Sequence, residues 1–117
     1  MKKYAKTHEW VEEIENEVLI GLTDYAQKAL GDIVFINLLD VGDPIICGQS
    51  FADVESVKAV SEVYAPVSGI ISAVNEELLD NPGKINEDAE NTWLIKAKDV
   101  SETTELMEAD EYLSSLN

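Results

Sequence analysis

Lys58 is the residue whose placement could carry chemistry. It stands as an isolated cation in Asp53-Val54-Glu55-Ser56-Val57-Lys58-Ala59-Val60-Ser61-Glu62-Val63, between two strand-like segments. A tight turn there holds its amine in solvent, and taken alone it reads as an ordinary hairpin lysine. Other reactive residue types are sparse. Cys47 is the single cysteine, which excludes an intramolecular disulfide and a cysteine metal cluster; it reads as a small, partly buried apolar residue. His8 is the single histidine, and no spacing pairs it with a nucleophile. Carboxylates are abundant, with 24 Asp and Glu against 8 Lys and no Arg in 117 residues. No spacing among them singles out an acid/base pair, so they read as surface charge. The net charge of −16 excludes simple electrostatic binding to nucleic acid and disfavours an anionic membrane surface. It suits partners with basic docking surfaces.

The elements that must position Lys58 are mostly strands. Short β-branched runs cover 17–22, 33–38, 49–57, 59–64, 70–74 and 92–97. Turn residues separate them, including Val41-Gly42-Asp43-Pro44, Cys47-Gly48 and Asn81-Pro82-Gly83. Many short strands with Gly and Pro turns predict a sandwich or barrel. Tyr25–Leu30 predicts a short helix, with Asp24 as N-cap, Gln27 completing a capping box and Gly31 as the stop. Asn75–Leu79 predicts one helical turn. From Ser101 the chain reads as an amphipathic helical cover with Ser101 or Thr103 as cap, carrying Leu106, Tyr112, Leu113 and Leu116.

An internal echo frames the lysine. Residues 31–37 resemble 69–75, and 41–45 resemble 82–85. Two similar β units facing each other place their midpoint near residues 55–60, at Lys58. The chain reads as one domain over 1–117: strands and a short helix in 1–30, a β core in 31–98, and the helical cover in 101–117. A charged N-terminus without an apolar stretch predicts no secretory signal and a cytoplasmic location. No segment approaches the ~20 apolar residues of a membrane span.

Glu55-Ser56-Val57-Lys58-Ala59 resembles the attachment sequence of lipoyl carrier proteins, specifically the H proteins of the glycine cleavage system. The resemblance extends along the chain: His8-Glu9-Trp10-Val11, Gly21–Gln27, Leu30–Phe35, Ala65–Gly69, Pro82 with Ile85-Asn86, and Trp93–Lys96. The departures are local. Residues 88–93 lack the Pro-Tyr-Gly and Gly-Trp features common in the family, and Leu38-Leu39 replaces a frequent Leu-Pro.

The resemblance implies a mainly β barrel-sandwich hybrid with two small facing sheets, a short helix in the N-terminal half and a helical C-terminal segment. It implies lipoic acid in amide linkage to Lys58, with Glu55, Ser56 and Ala59 helping a lipoate ligase or lipoyl transferase recognise the turn. It also implies a non-catalytic shuttle. The lipoyl arm takes an aminomethyl group from a pyridoxal-phosphate glycine decarboxylase. It presents this to a tetrahydrofolate-dependent aminomethyltransferase, and dihydrolipoyl dehydrogenase reoxidises it. Glu9 and Glu62 are the carboxylates expected to line a cleft that protects the loaded arm, and Trp10 is expected in the core. Gly69 is expected to serve a turn. The free carrier is expected to be monomeric, with no nucleic acid or membrane partner. Three alternatives stand beside this reading. A biotin carrier is disfavoured because Val57 and Ala59, not methionines, flank Lys58. The others are an H-like relay of lipoyl groups to other complexes, and an unmodified acidic β module.

Overall fold

The computed structural model describes residues 2–116. The chain order is β1 (Lys2–Ala5), β2 (Glu9–Ile14), β3 (Glu17–Leu22), α1 (Asp24–Leu30), β4 (Ile33–Leu38), β5 (Pro44–Ile45), β6 (Ser50–Ser56), β7 (Val60–Tyr64), β8 (Val67–Val74), α2 (Glu77–Asp80), α3 (Lys84–Asp88), β9 (Trp93–Thr103), β10 (Leu106–Met107) and α4 (Ala109–Ser115). A 3-10 turn, Ala89–Asn91, joins α3 to β9.

Two antiparallel sheets form the body. The larger has seven strands in the order β10-β1-β2-β3-β9-β8-β5, and the smaller has three in the order β4-β6-β7. Alternation along each strand decides which side chains meet between them. Ile33, Ile36, Phe51, Val54 and Val63 from the small sheet share one buried cluster with Val11, Ile20, Ile71, Leu94 and Ile95 from the large one. The mainly β sandwich was expected, with two small facing sheets; the sheets are instead unequal, of seven and three strands. The large sheet grows because β1, β2 and β3 pair on to β9 and extend it.

The echo segments 31–37 and 69–75 contribute β4 to the small sheet and β8 to the large one. Residues 41–45 and 82–85 differ: the first enters strand β5, the second enters helix α3. The short helix forms where expected, but its cap is Thr23 and not Asp24. The Thr23 hydroxyl accepts the Ala26 amide at 3.2 Å, and Gln27 turns instead to donate to the Asp24 carboxylate at 2.9 Å. Gly31 ends the helix at φ 82°, a conformation that costs a glycine little, and its amide bonds Gln27 O at 3.0 Å.

The tail departs most from expectation. Residues 101–103 remain in β9, because Glu102 and Thr103 pair with Ser68 and Val67. Leu106 and Met107 form β10 against β1. Only Ala109–Ser115 is helical, and neither Ser101 nor Thr103 caps it. Its buried member is Tyr112, stacked on Tyr4 with ring centroids 4.9 Å apart, while Leu113 faces solvent. Gly69, expected in a turn, lies inside β8 beside a register shift. A Cβ there would fall 2.7 Å from Lys98 O, so the residue is needed for close approach of two backbones.

Candidate functional site

Lys58 sits at the centre of the three-residue link between β6 and β7. Ser56 builds that link. Its hydroxyl oxygen accepts the Lys58 and Ala59 amides, both at 3.2 Å, and it contacts Ala59 O at 3.3 Å. The Ser56 amide donates to Ala59 O at 2.8 Å, closing the turn. Ser56 thus serves the turn itself: a buried hydroxyl satisfies backbone groups that a tight turn would leave unpaired. The Val57 amide donates to Asp32 O at 3.0 Å, which hangs the turn from the segment following α1. Glu55 is exposed on the outer face of the small sheet, between Phe35 and Val60. Ala59 is exposed beside the lysine.

The Lys58 side chain leans on the end of α1. A Cβ added to Gly31 would lie 3.2 Å from Lys58 Cε, so the glycine leaves room for the lysine stem. Among the described residues Lys58 makes no ion pair, whereas Lys2, Lys3, Lys6, Lys28 and Lys84 do.

A cleft of about 160 Å³ runs along α1; Leu30, the neighbour of the Gly31 on which the Lys58 stem leans, lines it, while Lys58 itself does not. Ala26, Ala29 and Leu30 form its helical wall, Leu22 and Val63 its apolar lining, and Thr7, His8 and Glu9 its far side. Glu62 and Ser61 of β7 complete it. Glu9 and Glu62 are thus brought to one cavity although 53 positions separate them in sequence. A larger cavity of about 450 Å³ lies between α1, α4 and the 3-10 turn, sharing Tyr25 but not Glu9.

The two carboxylates differ in setting. Glu62 is exposed and accepts from the Tyr64 hydroxyl at 3.1 Å. Glu9 is only 2% exposed. Burial pushes its carboxyl up to about 7, against the opposing pull of the Thr7 hydroxyl and the Tyr64 backbone amide that hydrogen-bond to it. Thr7 was not anticipated from the sequence; a hydroxyl two residues before a carboxylate is too common a spacing to signal a pair.

The raised value has a consequence for stability. The folded chain holds the Glu9 proton more tightly than the unfolded chain between the ordinary value of 4.5 and about 7. Stability attributable to this group is therefore full below that window and falls as pH rises through it. Glu9→Gln is expected to stabilise the protein at pH 8 by about 1–3 kcal/mol and to have little effect near pH 4.5. Urea unfolding across that range checks it, and parallel wild-type and variant profiles would count against an ionising buried carboxyl.

His8 adjoins this carboxylate with φ 75°. Its Nδ1 lies 2.7 Å from the Tyr112 hydroxyl and its ring 4.5 Å from that of Tyr25. Burial lowers its pKa from the ordinary histidine value, which favours the neutral ring. Trp10, expected in the core, is buried and its indole N–H donates to Ala89 O at 3.1 Å. The unusual stretch 88–92 is thereby tied to β2, and Glu90 adds bonds from the Tyr4 hydroxyl and the Asp24 amide, both 3.0 Å. Among the described residues there is no group of His, Cys, Asp and Glu arranged to hold a metal, and no helix long and apolar enough to cross a membrane.

The sequence matches the Glycine cleavage H-protein family over residues 2–117. It is 56% identical to the glycine cleavage system H protein of Lachnoclostridium phytofermentans, across 93% of this chain and 87% of that one. It is 52% identical to a probable glycine cleavage system H protein of Pyrococcus abyssi, across 97% of this chain and 87% of that one. Its fold superposes on the crystal structure of a glycine cleavage system H protein from Mycobacterium marinum with a TM-score of 0.93, at 35% identity, covering 98% of this chain and 95% of that one. An exposed lysine turn, a cleft along the helix on which its lysine leans and a match that spans the whole described chain agree: the chain belongs to the glycine cleavage H-protein family, a family of carriers and not of catalysts.

Proposed function

We propose that Lys58 carries lipoic acid in amide linkage and that the chain shuttles an aminomethyl group within a glycine cleavage system. The observation that supports this reading is the Lys58 stem resting on Gly31, one residue from the Leu30 that lines a cleft holding the buried carboxylate of Glu9. The lining fits the group. Ala26 and Ala29 leave room beside an aliphatic chain, and Leu22, Leu30 and Val63 offer it apolar contact. Tyr25 and Leu30 stand five residues apart on α1, about 7.5 Å along its axis at ~1.5 Å per residue, well within reach of a lysine extended by a lipoyl chain.

When bound, the dithiolane supplies the reactive sulfurs that accept and release the cargo. The protein's own residues supply placement. Ser56 and Asp32 hold the turn so that the amine faces a ligase or lipoyl transferase, with Glu55 and Ala59 exposed beside it. Glu9, neutral or ionised near pH 7, becomes a carboxylate when a cation enters the cleft, and Glu62 adds charge at its rim. The apolar lining keeps water from the cargo. The partners are a pyridoxal-phosphate glycine decarboxylase, a tetrahydrofolate-dependent aminomethyltransferase and dihydrolipoyl dehydrogenase. Each must dissociate for the next to bind, which suits an acidic surface that speeds encounter more than it tightens binding.

Coexpression with a lipoate ligase under lipoate-replete conditions is expected to add one lipoyl mass, located on the peptide containing Lys58. An unmodified lysine under those conditions would sink the carrier reading and favour the unmodified acidic module.

A further inference from the structure

Tyr112 lies in α4, outside the cleft, yet its hydroxyl reaches both of the cleft's walls. It is 2.7 Å from His8 Nδ1 and 2.8 Å from Thr23 Oγ1. His8 belongs to the turn that carries Thr7 and Glu9 into the cavity. Thr23 caps α1, the helix that forms the opposite wall. The two walls also share one backbone bond, from the Thr23 amide to His8 O at 3.1 Å. A neutral imidazole, a phenol and an alcohol in line satisfy one another: one nitrogen accepts, the phenol donates and accepts, and the alcohol completes the chain. Tyr112 is only 3% exposed and its ring is fixed by the stack on Tyr4, so the hydroxyl has little freedom to move elsewhere.

We infer that Tyr112 is a positioning residue for cargo retention: through one hydroxyl the C-terminal helix clamps the Thr7–Glu9 turn to the start of α1 and keeps the cleft at the width that excludes water. The clamp rests on the geometry of the free protein; its effect on cargo rests on the reading of the cleft given above. His8 holds φ 75°, a conformation few non-glycine residues adopt without support, and the phenol bond is the side-chain support present. Removing the hydroxyl leaves Thr23 with its cap bond to Ala26 and its amide bond to His8 O, but takes away the side-chain link that braces the turn bearing Glu9.

The test uses Tyr112→Phe, which keeps the stack on Tyr4 and loses only the hydroxyl. Met107→Ala is the control, since it loosens packing at the same C-terminal segment, beside Tyr4 and His8, without removing a hydrogen bond of the clamp. In unlipoylated protein, amide exchange at Thr23 is expected to rise at least fivefold in Tyr112→Phe and to stay near wild type in Met107→Ala. The cargo is then loaded without partner enzymes. A dihydrolipoyl thiol, formaldehyde and ammonium give the aminomethyl thioether and one water; its loss consumes that water and returns the same three species. The half-life on Tyr112→Phe is expected to fall several-fold against wild type, with Met107→Ala unchanged. Unaltered Thr23 exchange in Tyr112→Phe would overturn the clamp. Faster exchange with an unaltered cargo half-life would overturn the retention role, as would an equal loss in Met107→Ala. If wild-type protein protects the cargo no better than free dihydrolipoamide does, the cleft reading itself fails and the retention role with it, while the exchange result still decides the clamp.

Discussion

Lys58→Arg is expected to fold as the wild type does and to show no carrier activity at all. The side chain is exposed, makes no ion pair among the described residues, and lies by its stem against Gly31, all of which arginine can reproduce. Surface changes of this kind fall within about ±0.5 kcal/mol. The turn is held by Ser56 and by the Val57 amide, not by the lysine, so its shape persists. The chemistry does not persist. A guanidinium stays protonated and delocalised, and it is no nucleophile for an activated acyl group. Glycine–bicarbonate exchange with the decarboxylase should drop to the level seen without carrier, while thermal unfolding is unchanged. Residual lipoyl-dependent exchange would place the attachment elsewhere.

The second large effect concerns Gly21. It faces Trp10 across the β2–β3 ladder, and a Cβ there would fall 2.4 Å from Trp10 Cζ2 and 2.8 Å from Nε1. The indole has nowhere to go. It is 1% exposed, bonded to Ala89 O, and covered by the Lys2 amine 4.3 Å above its ring. Gly21→Ala is expected to cost about 3–5 kcal/mol, combining overpacking with a strained or lost buried hydrogen bond. Such a loss is a large fraction of the stability of a small domain. Urea unfolding measures it, and a cost below about 1 kcal/mol would show that the ring can shift freely. In a Trp10→Phe background the same substitution should cost much less, because the smaller phenyl lacks the outer benzo-ring carbon Cζ2 and the Nε1–H that the new Cβ would strike; this coupling separates the clash from any backbone effect.

What could be read from the sequence was local. Lys58, Glu55, Ser56 and Ala59 lie within five residues, and the Ser56 bonds that shape the turn span only two or three positions. Gly31 was legible as a helix stop because its neighbours already spell a helix. Its contact with the Lys58 stem was not, since that depends on how β6 and β7 cross the end of α1. Glu9 was singled out by resemblance, but its burial follows from a strand pairing and a helix packed over it. Thr23 and Asp24 are both good caps, and only the fold decides between them. The tail misled for a physical reason. Leucines at helical spacing are outweighed by the β8 ladder, which holds residues through Thr103 in an extended strand. Tyr112 carried no sequence signal for its role, as its two partners are more than 85 residues away.

Both margins of the seven-stranded sheet end in strands of two residues, Pro44–Ile45 and Leu106–Met107. A second copy seeking to add a strand there finds almost no free amide ladder, and Pro44 lacks a donor altogether. Together with mutual repulsion between chains of charge −16, this guards the margins of the large sheet against edge-to-edge pairing. Copies crowded together thus meet at margins that repel and do not extend, and the lysine turn lies on the other sheet, away from them.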